Sequence, residues 1–210
     1  MRSYAQNGED LNIWNILNAK QSGFYIDIGC SDWQAGSVSY FFYERGWMGL
    51  CVDVQQQYQA GFTAHRPRDT FLCAGVSDRS EERCLYDSFG QLSTFAPEHL
   101  DALIQKGVFP KGFGFDQKML QTTTLRHILD ANPPVEIDFM KIDVEGFEYK
   151  ALQGNDWLRY RPRLIILEAT EPCNLSVRTD LSCTQFLTKK NYKHILFDGL
   201  NSYYIDKESQ

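Results

Sequence analysis

Acidic side chains recur where short apolar runs stop. Asp27 follows Phe24-Tyr25-Ile26, Asp53 follows Leu50-Cys51-Val52, Asp78 lies just past Val76, Asp143 and Glu145 come after Met140-Lys141-Ile142, and Glu168 follows Ile165-Ile166-Leu167. One carboxylate at the end of a strand is commonly a helix cap or a solvated loop residue. Repetition at five runs points instead to a shared site. Carboxylates gathered in this way can accept hydrogen bonds from ribose hydroxyls, hold a cationic ligand, or take the proton from a hydroxyl as it attacks an electrophile. Side chains two residues apart on a strand share a face, which puts Lys141 beside Asp143. That pair is able to orient or polarise a hydroxyl, and the lysine is equally able to do no more than neutralise the acids around it. Asp143, Glu145 and Glu168 offer the oxygen ligands that Mg²⁺ prefers, but their spacing fixes no octahedral set and no metal is assigned. His99, His127 and His194 are further candidate bases, although a lone histidine is more often structural.

The first run ends Asp27-Ile28-Gly29-Cys30-Ser31-Asp32. A dinucleotide fold has G-x-G-x-x-G at this turn, so that a pyrophosphate can rest on a helix N-terminus. Only Gly29 is present here. What remains is one glycine that lets a ligand approach the backbone, flanked by the carboxylates of Asp27 and Asp32, a setting for positive charge. Asp53, at the end of the second run, is placed to accept from both hydroxyls of a ribose. A nucleoside with a cationic end and no phosphate describes S-adenosylmethionine.

Such residues meet only if several strand ends reach one edge, and the rest of the chain is patterned to bring them there. Apolar runs alternate with helically spaced stretches, which is the α/β signature. Strands are expected over 24–29, 49–54, 70–76, 137–143 and 164–168, and helices over 9–20, 37–45 and 178–190, with Gly46 ending the second helix and Ser37 able to cap its start. Right-handed crossovers make the strands parallel, with their C-terminal ends together. Residues 193–197 and 202–205 flank Asp198-Gly199-Leu200-Asn201 as an antiparallel hairpin. The expected fold is a single Rossmann-like domain over 1–210, with a seven-stranded, mostly parallel, doubly wound sheet closed by that C-terminal hairpin. Residues 91–119 differ. A short helix near 98–106 precedes Gly107, Gly112 and Gly114, interleaved with Phe109, Phe113 and Phe115, which reads as a mobile cover over the site.

Composition narrows the function. The chain has 210 residues, 43% hydrophobic and 23% charged, with 7 prolines, which suits one globular domain. Its formal charge of -6 repels phosphate backbones, and no basic cluster offsets it, so nucleic acid is not the expected partner. No apolar run approaches the roughly 18 residues of a membrane span. Glu9 and Asp10 fall where a signal peptide would be apolar, so the expected location is cytoplasmic. The six cysteines form no C-x-x-C pair and read as reduced thiols, while Asn174-Leu175-Ser176 reads as a chance glycosylation triplet.

Several segments resemble, in order, the motifs of FkbM-type methyltransferases: Ser3 to Asp10, Gly23-Phe24-Tyr25-Ile26-Asp27-Ile28-Gly29, Gly46-Trp47-Met48-Gly49, Arg66-Pro67, Lys141-Ile142-Asp143-Val144-Glu145-Gly146-Phe147-Glu148, Arg161-Pro162 and Phe197-Asp198-Gly199-Leu200-Asn201. Two departures stand out. The family more often has Ala-Asn where this chain has Cys30-Ser31, and Glu-Pro where it has Asp53-Val54. The resemblance implies a class I fold and S-adenosylmethionine-dependent O-methylation of a small-molecule or glycan hydroxyl, with sugar and polyketide-like acceptors the family's association. It implies that Asp27, Gly29 and Asp53 hold the cofactor, that Ser77 and Asp78 lie near its adenine, and that Glu9 and Asp10 approach the pocket, although both acids also suit the first turn of a helix. Asp32 and Ser37 complete the candidate cofactor set. Asp143, Glu168, Glu145 and Lys141 form the candidate catalytic set, with Asp143 ranked first as base. The rivals are a cofactor-binding or partner-binding module without catalysis, and a nicotinamide-dependent oxidoreductase, which the missing glycines disfavour.

Overall fold

The central strands are buried along nearly their whole length, because successive side chains point to opposite faces of one sheet and both faces are covered. The computed structural model describes residues 1–110, 113–171 and 174–209; Gly112 and Cys173, which figured in the sequence reading, lie outside them. In chain order the elements are α1 (Glu9–Ile16), β1 (Phe24–Ile28), α2 (Tyr40–Tyr43), β2 (Met48–Asp53), α3 (Gln59–His65), β3 (Thr70–Cys73), β4 (Gly75–Val76), β5 (Glu82–Asp87), α4 (Pro97–Gln105), β6 (Asp116–Thr123), α5 (Leu125–Ala131), β7 (Phe139–Ile142), α6 (Glu148–Gln153), β8 (Leu164–Glu168), β9 (Thr170–Glu171), β10 (Asn174–Arg178), α7 (Leu181–Lys189), β11 (Tyr192–Phe197) and β12 (Asn201–Asp206). Seven strands form the main sheet in the order β11-β12-β8-β7-β1-β2-β3. β3, β2, β1, β7 and β8 are parallel, and the β11-β12 hairpin closes the edge antiparallel, as expected.

One face carries Ile26, Ile28, Leu50, Val52, Met140, Ile142, Ile165 and Leu167 against Leu125, Leu129, Leu152 and Leu187 of α5, α6 and α7. The other carries Tyr25, Cys51, Phe139, Leu164 and Ile166 against Ile13, Trp14, Phe41, Phe42 and Phe62 of α1, α2 and α3. Burial on both faces is why the sequence shows continuous apolar runs rather than alternation. Followed two residues at a time, the second face leads from Tyr25 to Asp27, from Phe139 to Lys141 and Asp143, and from Ile166 to Glu168. The period of two thus brings the polar residues to one side of the sheet's C-terminal edge.

Several boundaries differ from expectation. The run 70–76 is not one strand: Ala74 donates to Asp53 O at 2.9 Å, and Gly75–Val76 then leave the main sheet to pair with β6. Gly75 lies against Phe95, where a Cβ would come within 2.6 Å of the ring. The expected helix over 37–45 is only α2, because the residues before it are used differently. Ser37 Oγ and Ser39 Oγ accept from Arg66 at 3.2 and 2.9 Å. The first helix stops at Ile16, and Asn18 and Ala19 then take left-handed conformations. The antiparallel pair β5 and β6 escaped the sequence reading because its outer face is exposed and its apolar period is weak, and it claims residues 116–119 of the expected cover. No described helix is long and apolar enough to cross a membrane. The described cysteines are free thiols.

Arg66 organises the second face. Fully buried, it donates through Nε to Asp69 at 2.7 Å and through its terminal nitrogens to Trp33 O at 3.1 Å and Tyr25 Oη at 3.0 Å as well as to the two serines. Asp69 also accepts from Tyr25 Oη and from Gly49 N, both at 2.9 Å. Truncating one member strands a buried charge, which costs more than the pair contributes. Arg66→Met is therefore expected to lose about 3–5 kcal/mol of stability in chemical denaturation, with part recovered in Arg66→Met/Asp69→Asn; equal losses in the single and double variants would show that the charge is not the cause.

Candidate active site

Strand order reverses at β1, with β2 and β3 on one side and β7, β8 and the hairpin on the other. Connections leaving β1 and β7 diverge there and open a crevice at the carboxyl ends of the strands. The crevice is a cavity of about 950 Å³. Its walls are Gly29 to Ser31 after β1, Asp53 and Val54 after β2, Lys141 to Glu145 after β7, and Glu168 and Thr170 after β8, with Tyr4 to Gln6 and Gly90 to Ser93 across its mouth. Ile142 is the exception in this wall, since it packs into the core below.

Gly29 makes the junction of β1 and β7 possible. Its φ is 74°, and a Cβ would stand 1.7 Å from the carbonyl oxygen of Asp143. No side chain fits between the two turns. Asp53 is held by its own neighbours, Oδ2 accepting from Ser31 N at 2.9 Å and Oδ1 from Gln55 N at 2.8 Å. Each oxygen keeps a second lone pair for a ligand hydroxyl. Burial raises the Asp53 pKa, opposed by those two backbone bonds. Beside it, Val54, Ala74, Val76 and Phe95 supply an apolar wall suited to a flat base.

On the other side of Gly29 stands the lysine. Lys141 Nζ donates to Gly29 O at 2.9 Å and lies 3.2 Å from Asp143 Oδ2 and 3.7 Å from Asp27 Oδ1. Burial opposes its charge, but the carboxylates of Asp143 and Asp27 outweigh that and hold its pKa well above that of ordinary lysine. It is a fixed cation and not a base. Glu145, at a φ of 53°, contacts His99 Nε2 through Oε2 at 2.9 Å, and burial raises its pKa against the pull of that imidazole. Behind it, Glu148 in the first turn of α6 accepts from Val144 N and Gly146 N at 3.0 and 3.2 Å, and burial lifts its pKa to about 7. Glu168 is the most perturbed. Burial first, then the like charges of Asp143, Glu145 and Glu148, push it up to about 10, with Lys141 pulling the other way. No side-chain hydrogen bond ties it to the described residues. Oxygens of Asp143, Glu145 and Glu168 lie within 4.8 Å of one another, a set that a cation could bridge.

Of the residues singled out in the sequence, Gly29, Asp53, Lys141, Asp143, Glu145 and Glu168 border this cavity together. The others stand behind its walls. Asp27 is buried and accepts from Ser39 Oγ at 2.6 Å through Oδ2, while its Oδ1 has no hydrogen-bond donor and faces Lys141. Asp32 Oδ1 caps the turn at Gln34 N and Ala35 N, at 2.9 and 2.8 Å. Ser37 Oγ accepts from Tyr40 N at 3.2 Å, the helix-start role that was its alternative reading. Ser77 bonds Asp78 at 2.9 Å, and Asp78 pairs with Lys150 of α6 at 3.2 Å, away from the cavity. Glu9 links Asn7 N at 2.8 Å to Asn201 Nδ2 at 2.9 Å, and burial raises its pKa. Asp10 accepts from Ser3 Oγ at 2.6 Å and Tyr4 N at 2.8 Å. These two acids shape the strap, and the strap reaches the cavity through Tyr4, Ala5 and Gln6.

Sequence reading missed that strap, the apolar wall at Val54 and Ala74, and the partnership of His99 with Glu145. Residues 91–99 are pinned over the crevice by Gln91 Nε2 to Ser31 Oγ at 2.9 Å, Thr94 Oγ1 to Glu145 O at 2.6 Å, and the histidine. Ser93 and Glu98 stand among the three anchoring residues, so no local pattern marked them out.

The comparisons with known proteins bear on this geometry. Nothing among the curated proteins matches the chain significantly. A crystal structure of methyltransferase FkbM from Methylobacillus flagellatus KT superposes with a TM-score of 0.51 at 14% identity over 88% of this chain, which shows a shared fold. This chain spans 44% of that protein's length. By sequence, the pattern of the methyltransferase FkbM domain matches residues 27–193, from Asp27 in β1 to Lys193 in β11 and across every strand end that borders the cavity. The chain therefore belongs to the methyltransferase FkbM family.

Proposed function

We propose that this chain transfers a methyl group from S-adenosylmethionine to a hydroxyl oxygen of a small molecule or glycan. The observation that carries the reading is the charge of the cavity: Asp53, Asp143, Glu145 and Glu168 border it, and Lys141, its cation, is already committed to Asp143 and Asp27. Such a wall suits a cationic nucleoside and repels a pyrophosphate. Asp53 would hold the ribose hydroxyls, Val54 and Ala74 the base, and the acids beyond Gly29 the cationic end. Bound there, S-adenosylmethionine would supply an electrophilic methyl group on a sulfonium. The chain's part is then to exclude water, orient an acceptor hydroxyl and accept its proton. We read residues 91–110 as the cover, with Gln91, Thr94 and His99 holding it to the crevice.

Isothermal calorimetry should find S-adenosylmethionine and S-adenosylhomocysteine binding and NAD not binding, with Asp53→Ala weakening both nucleosides by about 1–3 kcal/mol. Tight NAD binding with none of the other two would sink the reading.

The carboxyl of Glu168 keeps its proton in the free protein at neutral pH, since its pKa stands at about 10. A sulfonium set among Asp143, Glu145 and Lys141 favours the Glu168 carboxylate, so binding releases that proton. Affinity for S-adenosylmethionine should therefore rise as pH increases from neutrality toward 10, by up to about tenfold per unit at full coupling. S-adenosylhomocysteine, without the sulfonium charge, should show a shallower slope, and Glu168→Gln should make the two slopes equal. Parallel slopes in the unmodified protein would remove the sulfonium from this site.

Proton acceptance is tested by the amide variants. Asp143→Asn and Glu168→Gln should each keep affinity for S-adenosylhomocysteine, which lacks the sulfonium charge, within a few fold, and the variant that removes the base should lose about 10² to 10⁴ in turnover. Full turnover in both would leave positioning, or another base, to carry the reaction.

A further inference from the structure

A second cavity of about 530 Å³ lies between α4 and the N-terminal ends of α6 and α7. It shares two wall residues, Glu168 and Thr170, with the first cavity. Elsewhere the two are divided, because Glu145 faces the first and His99 the second, and the 2.9 Å contact between them joins the loop after β7 to α4. A compound seated in the second cavity thus meets the first at Glu168.

The walls also say what fits. Tyr149 remains 38% exposed, and Phe186 meets its ring edge-on at 5.8 Å, which fixes an aromatic surface at the cavity wall. Gln105, Thr179 and Ser182 offer neutral hydrogen-bonding groups. Glu98 offsets Lys106 in formal charge, so a phosphate or carboxylate entering here meets no surplus of positive charge to replace its water.

We propose that this second cavity seats the acceptor, that it takes a neutral hydroxyl compound with a flat face against Tyr149, and that it rejects anionic acceptors. The inference rests on the methyl-transfer reading above and adds where the acceptor sits and what charge it carries. Glu168 is then the carboxyl that both ligands touch.

Isotope-labelled protein saturated with S-adenosylhomocysteine and titrated with methyl glucoside, myo-inositol or glucose 6-phosphate, followed by amide chemical shifts, tests it. The two neutral probes at millimolar concentration should move the amides of Gly146, Tyr149, Thr170 and Ser182, and the phosphate ester should not. Tyr149→Ala should weaken the neutral probes by about 3- to 10-fold while leaving S-adenosylhomocysteine affinity in place. Shifts confined to the first cavity, silence with both neutral probes, or equal shifts with the phosphate ester would overturn the proposal. If S-adenosylhomocysteine itself fails to bind, the methyl-transfer reading falls and this inference with it; if it binds and the second cavity stays silent, this inference falls alone.

Discussion

Carboxylates held close together with little water between them cannot all be ionised unless positive charge joins them. The arrangement at the sheet's edge answers that constraint in part. Lys141 stands among Asp27, Asp143 and the carbonyl of Gly29, and its charge is locked in by those acids. One lysine does not balance the whole group, and burial first, with the residual repulsion added to it, pushes the pKa of Glu168 up to about 10. The free protein is thus set up for a cation, with a proton occupying the place that a cationic ligand would take.

Stability and site are joined through the face of the sheet that carries the charges. Arg66 donates to Ser39 at 2.9 Å, Ser39 donates to Asp27 at 2.6 Å, and Asp27 faces Lys141 at 3.7 Å. This buried polar chain gives Asp27 a physical role although it does not reach the cavity. Its carboxylate is oriented from below by the serine and keeps the lysine cationic from above. A substitution in the Arg66 cluster would therefore disturb both the packing of α1, α2 and α3 and the electrostatics at Lys141, since low dielectric couples the groups along the chain.

Much of this was legible in the sequence because it follows from periods. Continuous apolar runs gave buried parallel strands, the Asp-Gly turn gave the closing hairpin, and the period of two put Lys141 beside Asp143. What could not be read was which strand-end acids turn into the crevice. Asp27 and Asp53 look alike in sequence, yet Asp53 stands at the cavity wall and Asp27 lies beneath it, because a residue inside a strand is covered by its neighbours and a residue at its end is not. Asp78 was placed at a strand end that does not exist in the main sheet, since the third strand breaks at Ala74. The β5-β6 pair and the 2.9 Å contact of His99 with Glu145 depend on long-range pairing that no local pattern encodes.

The three acids beyond Gly29 are chemically alike and are separated by what each touches. Asp143 is paired with a lysine, Glu145 with an imidazole, and Glu168 with no described side chain; burial raises the pKa of both glutamates, and of the two it is Glu145 that has a hydrogen bond opposing the rise. The Asp143 carboxylate is already engaged by the ion pair with Lys141, whereas that of Glu168 has no hydrogen-bond partner among the described residues. The ranking drawn from sequence put Asp143 first because the fourth parallel strand lies nearest the centre of the cleft. Partner geometry sets Glu168 apart instead, since it stands on the wall common to both cavities, where a bound cation would turn a stored proton into a vacant lone pair.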